Sequence, residues 1–201
     1  MAAGATTTSP SRPTPRRRLG ITPWALVAFV AIVAVLHLLD PRDPWRRFVS
    51  EYGMEHPLLL GVAFGAWALA AVALVPSLWR LRGATGRGSG ALLALFAALI
   101  LVAAVFQIDG PTLAPPKTVE AVIHITAGRA AVAALALALC LAWAAARGRR
   151  AALTVLVVLV LAFGVPVIAS PNAVGLTQRV LVGVEIGALA LLAREIDDRR
   201  R

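Results

Sequence analysis

The chain has 201 residues, 59% of them hydrophobic and only 15% charged, with a mean hydropathy of +0.80. A water-soluble domain of this size carries far more charged surface, so composition alone places the chain in the membrane class. The formal net charge is +10, but the cations fall in short clusters between apolar runs. Nothing resembles the basic helix or aromatic platform that a nucleic-acid partner requires. The single Cys140 excludes an intramolecular disulfide and a cysteine metal cluster.

Residues 1–18 are rich in Ala, Thr, Ser, Pro and Arg without apolar periodicity and read as a disordered basic tail ending in Arg16-Arg17-Arg18. Six apolar runs follow, at about 21–39, 58–79, 91–108, 119–146, 151–169 and 177–193, inside a transmembrane domain spanning 19–196. Residues 197–201 form a short basic C-terminal tail. Each run has the roughly 20 residues that a 30 Å hydrocarbon core demands. With no water to satisfy backbone amides there, each must be helical. The expected fold is therefore all-α, a polytopic six-transmembrane-helix bundle. A cleaved signal peptide competes for the first run, but that run is long for one and no small-x-small site precedes Leu38-Leu39-Asp40. It reads as an uncleaved helix.

Cations set the orientation. With the N-terminus inside, the inner segments hold Arg12, Arg16, Arg17, Arg18, Arg80, Arg82, Arg87, Arg147, Arg149, Arg150, Arg194, Arg199, Arg200 and Arg201. The outer loops hold only Arg42, Arg46, Arg47 and Lys117. Such a bias predicts both termini in the cytoplasm of a multi-pass protein of the cell membrane.

Ionisable residues at the edge of hydrocarbon are costly and mark candidate sites. The first outer loop carries Ser50 and Glu51, with Trp45, Phe48 and Tyr52 spaced for a short amphipathic helix at the interface. Asp109 closes the third run. In the fourth, Glu120 and His124 share a face, with Gly128 one turn further on. Arg129 lies about 140° round the helix from His124, so the two cannot both point at one small ligand unless the helix is distorted. The sixth run offers Gln178, Arg179 and Glu185. Arg129 and Glu185 are expected to form a structural ion pair, because a lone carboxylate at that depth needs a partner. Gly61 and Gly65, like Gly183 and Gly187, make small-residue faces through which a homo-oligomer can pack. The three histidines, His37, His56 and His124, form no close pair. Asp109, His124 and Glu51 together are too weakly specified for zinc, so neither a metal nor a cofactor is expected.

Four segments in this order resemble the bacterial domain-of-unknown-function family 998. They are Ser50-Glu51-Tyr52-Gly53, Phe106-Gln107-Ile108-Asp109, Ile123-His124 and Gly175-Leu176-Thr177-Gln178-Arg179. The resemblance spans residues 21 to 195, and Gln107 stands where the family usually has proline. It implies six membrane helices and that Ser50, Glu51, Asp109, His124, Gln178 and Arg179 belong together. It implies no activity.

Three readings follow. The first is a polar outer-leaflet site that binds a lipid headgroup or small polar ligand, centred on Asp109 and His124, with Arg179 pairing a phosphate or carboxylate. The second is a membrane-embedded lipid hydrolase in which His124 is base or ligand and Asp109 orients it. The third is a structural or partner-binding subunit whose polar residues lock helices together.

Overall fold

Apolar runs fold as helices throughout the described residues, and no strand forms among them. The computed structural model describes residues 20–40, 46–81, 83–110, 115–169 and 174–199, with the helical path alone for 163–169 and 174. The helices are α1 (Ile21–Leu39), α2 (Pro57–Val72), α3 (Val75–Arg80), α4 (Ala84–Val105), α5 (Val119–Arg147), α6 (Arg149–Ala169) and α7 (Val174–Asp198), with a 3-10 turn at Val49–Met54. Five apolar helical stretches among the described residues are long enough to cross a membrane, with α2 and α3 counted as one stretch. The expected tails at 1–18 and at Arg200 and Arg201, and the aromatic Trp45, lie outside the described residues.

Pro57 and Pro76 show why the second run is one helix at its start and two at its end. Pro57 sits at the first helical position, where its missing N–H costs nothing. Pro76 lies inside, cannot bond back to Val72, and crowds that carbonyl. The helix breaks at Ala73 and Leu74, and α3 resumes at Val75.

The third helix begins at Ala84, seven residues before the expected 91. Gly86, Gly88 and Gly90 read as loop by propensity, but packing decides otherwise. A Cβ at Gly86 would lie 2.7 Å from the Leu78 carbonyl oxygen, and one at Gly90 would meet the Trp79 ring at 2.5 Å. The glycines let α4 lie directly against α3. The helix also ends earlier than expected, at Val105. The last helix continues to Asp198, past the expected 193, because Glu195 pairs with Arg147 of α5 and with Arg199.

α1 packs on α2, α2 on α4, α4 on α5, α5 on α6 and α6 on α7, while α7 also meets α5 and α1. Phe29, Trp67 and Phe96 stack through α1, α2 and α4 at centroid separations of 4.9 and 5.0 Å. Two hydroxyls join helices directly. Thr22 donates to the Ala70 carbonyl at 3.1 Å, and the fully buried Ser89 to the Ala138 carbonyl at 2.8 Å. α5 turns an alanine-rich stripe, Ala127, Ala131, Ala134 and Ala138, into this core. Its other flank borders the candidate site.

Candidate functional site

In the described part of the loop between α1 and α2, the expected surface-lying amphipathic helix does not form. Val49–Met54 winds as a 3-10 turn whose Tyr52 is 2% and Glu51 3% exposed. The reason is a set of hydrogen bonds that draws the turn into the bundle. Gln178 Oε1 accepts the Val49 N–H at 2.7 Å. Arg179 donates through Nε to His37 Nε2 at 3.0 Å, and through Nη1 to the backbone carbonyls of Arg47 and Gly175 at 2.6 and 3.0 Å. It also donates through Nη2 to the Tyr52 hydroxyl at 3.3 Å. Because arginine only donates, His37 Nε2 must accept. The proton then sits on Nδ1, which donates to the Val33 carbonyl at 2.8 Å. Arg179 thus ties α1, the turn and α7 into one node. Glu51 belongs to the same loop, paired with Arg47 at 3.4 Å.

Asp109 is exposed and works locally. Its Oδ2 accepts the Lys117 N–H at 2.8 Å, and the Thr118 hydroxyl donates to it. Thr118 in turn caps α5 by accepting the Ala121 N–H at 3.2 Å. The slight desolvation of Asp109 pushes its pKa upward. The Thr118 hydroxyl and the amides of Lys117 and Thr118 outweigh that and hold the carboxyl below its ordinary 3.8. Asp109 closes the loop between α4 and α5 and does not meet His124.

His124 points the other way, into the bundle, and is 5% exposed. Its Nδ1 lies 2.7 Å from the Ala103 carbonyl oxygen and 2.8 Å from that of Phe106. Both oxygens can only accept, so Nδ1 carries the proton and caps the open carbonyls at the end of α4. That contact also explains why α4 stops where it does. In the neutral ring the lone pair is then on Nε2, which makes no hydrogen bond to a described residue.

Beside His124 runs a groove of about 910 Å³ between α5, α6 and α7. Ser50, His124, Arg129, Thr177 and Gln178 are its polar lining, and the remaining described lining is apolar, including Val132, Ala136, Leu156 and Leu181. Leu137, Leu156 and Val160 also line it and are exposed, so it opens along the helix faces. Gly128 borders it, and a Cβ at that position would meet nothing within 4 Å. Ser50 and His124 also border a much smaller cavity beneath Gly53 and Pro57.

The expected Arg129–Glu185 pair is absent. Glu185 is fully buried on the inner stripe of α7, and neither carboxyl oxygen has a hydrogen-bond partner among the described residues. Arg129 is exposed, on the flank of α5 away from the Ala131 stripe, and turns to the groove. Helical phase is the cause: the two residues lie at similar depth but on faces that do not meet. Among the described residues no three His, Cys, Asp or Glu side chains are grouped to hold a metal ion.

Residues 24–195 match a family described as "Protein of unknown function (DUF998)". The chain belongs to this family. No curated protein and no solved structure matches it. In this DUF998 chain the structure brings Ser50, His124 and Gln178 to one groove together with Arg129. It places Arg179 and Glu51 in the adjoining node and Asp109 outside on its loop. Sequence reasoning overlooked His37 as a member of the node and marked Tyr52 only within its loop segment. A histidine and a tyrosine at the outer ends of neighbouring segments, facing an arginine in a third, was the available signal. The groove itself leaves only a faint trace, Gly128 amid bulkier residues of α5.

Proposed function

We infer that the protein is a six-span component of the cytoplasmic membrane, both termini inside, that holds a lipid in the lateral groove of α5, α6 and α7. The 21-residue α6 counts as the sixth span, and the inner clustering of arginine supports the orientation. The observation that carries the reading is the groove: about 910 Å³, lined by apolar side chains apart from Ser50, His124, Arg129, Thr177 and Gln178 among the described residues. Its size lies at the upper end for ligand sites, and its lining pattern suits an amphiphile. His124 holds its place through Ala103 and Phe106 and presents Nε2, while Gln178 keeps its amide NH₂ for a ligand because its oxygen is held by Val49.

Filling the groove tests this. The Gly128→Leu variant places a side chain in open space, so the fold should persist. Lipid retained through purification and quantified by mass spectrometry should fall about tenfold, the equivalent of ~1.4 kcal/mol. Equal retention by wild type and variant would sink the reading.

A lipid hydrolase at the same site is the second reading, favoured by the unpartnered Nε2 of His124 and by Ser50 bordering the same groove. It requires that wild-type protein release fatty acid from phosphatidylglycerol vesicles and that His124→Asn abolish the release.

A further inference from the structure

Resting on the groove as the lipid site, we propose that it selects an anionic lipid whose head also carries a hydroxyl, the acidic group seated on Arg129 and the hydroxyl on His124 Nε2; the two side chains leave α5 about 140° apart, yet both line this groove, so the head spans the space between them. Charge complementarity argues for the first half. Arg129 is the one Lys or Arg among the described lining residues, and no carboxylate lines the groove among them. Arg129 makes no hydrogen bond or ion pair with a described residue, so its guanidinium fork is open to a phosphate or carboxylate. A zwitterionic head would bring a second cation beside Arg129 with no acid to receive it.

The donor and acceptor inventory argues for the second half. Arg129 and the Gln178 amide NH₂ offer donors, whereas His124 Nε2 offers a lone pair. An acidic group accepts from the former and cannot satisfy the latter. A hydroxyl on the same head can. Length agrees as well. From Arg129 to Cys140, the far groove residue on α5, is about 16 Å of helix, close to half of a ~30 Å hydrocarbon core. An acyl chain of one leaflet fits that span with its head at Arg129.

Three lipids with identical chains separate these contributions: phosphatidylglycerol (anionic, hydroxylated), phosphatidylmethanol (anionic, no free hydroxyl) and phosphatidylcholine (zwitterionic). Native mass spectrometry of the full chain with each added lipid should rank them in that order, with about tenfold between first and last, or ~1.4 kcal/mol. Arg129→Gln should bring phosphatidylglycerol down to the phosphatidylcholine level, and Arg129→Lys should restore part of the preference. His124→Asn keeps a donor for the Ala103 and Phe106 carbonyls, but its amide oxygen lies nearer the backbone and leaves no acceptor where Nε2 stood, so phosphatidylglycerol should fall to the phosphatidylmethanol level. Equal binding of all three lipids by wild type, blocked by Gly128→Leu, would overturn this selectivity while leaving the groove as a lipid site. Binding of all three undiminished in Gly128→Leu would overturn both readings. Full preference retained in Arg129→Gln would remove Arg129 from the site.

Discussion

Arg179 and Arg129 lie in the first halves of α7 and α5, near the same end of the bundle, yet their surroundings are opposite. Arg179 directs Nε, Nη1 and Nη2 at protein acceptors drawn from α1, the 3-10 turn and its own helix. Arg129 has none among the described residues and borders an apolar groove. Depth and helical spacing suggest the reverse, with Arg129 locked to Glu185 and Arg179 open to an anion. The lesson is that a membrane arginine is read by where its donors go, since its position along a helix is compatible with either role.

The largest way to break the comparison is Arg179→Ala. It strips the partner from half-buried His37, buried Tyr52 and backbone carbonyls, and stability in detergent should fall by on the order of 3–5 kcal/mol. Arg179→Lys should recover less than half, because a point charge cannot reproduce the fork. A loss below about 1 kcal/mol in a denaturation curve would remove the node's structural role.

Two glycines give the next contrast. Gly86→Ala pushes a methyl against the Leu78 and Leu81 carbonyls and should cost ~1–3 kcal/mol by overpacking. Gly128→Ala faces open space and should be neutral or stabilising, by up to ~1 kcal/mol of helix propensity. Thermal unfolding of both variants side by side checks the sign of each.

Glu185 tests the absent ion pair. Replacing this buried, unpartnered carboxyl by methionine of similar length should raise stability by about 1–3 kcal/mol, since no hydrogen bond is lost. A destabilised variant would mean that the carboxyl has a partner. Arg129→Gln, by contrast, should leave unfolding within about 0.5 kcal/mol of wild type.

The smallest effect belongs to Asp109. Its folded-state pKa is depressed, so its contribution is fully present above 3.8 and is lost as pH falls from there through the lowered value. Exchange of the Lys117 amide, taken relative to its intrinsic rate at each pH, should accelerate over that acid range in wild type. In Asp109→Asn it should be fast and independent of pH-linked protection.

Some of this was legible without coordinates. Apolar run length predicts the helices closely at α1 and α5. It misplaces the start of α4, because glycine's poor helix propensity says nothing about the Leu78 carbonyl and Trp79 ring that make glycine necessary there. The polar residues that gather near the groove and node are nearly those marked by sequence order and by the family resemblance, apart from His37. Their division into node, loop staple and groove lining was not legible. Asp109 and His124 look like a pair in one dimension, yet one faces solvent and the other the core.

By itself the sequence determined an all-α, membrane-class chain, its approximate helices and the short list of polar residues at one end. Those properties depend on local composition and period, which the bilayer's thickness and its lack of water translate directly into structure. Only the tertiary structure decided that Arg179 is held by the protein, that Glu185 stands without a partner and that Arg129 borders a groove. Each of these depends on which helix faces meet, and that is set by the packing of side chains far apart in the chain.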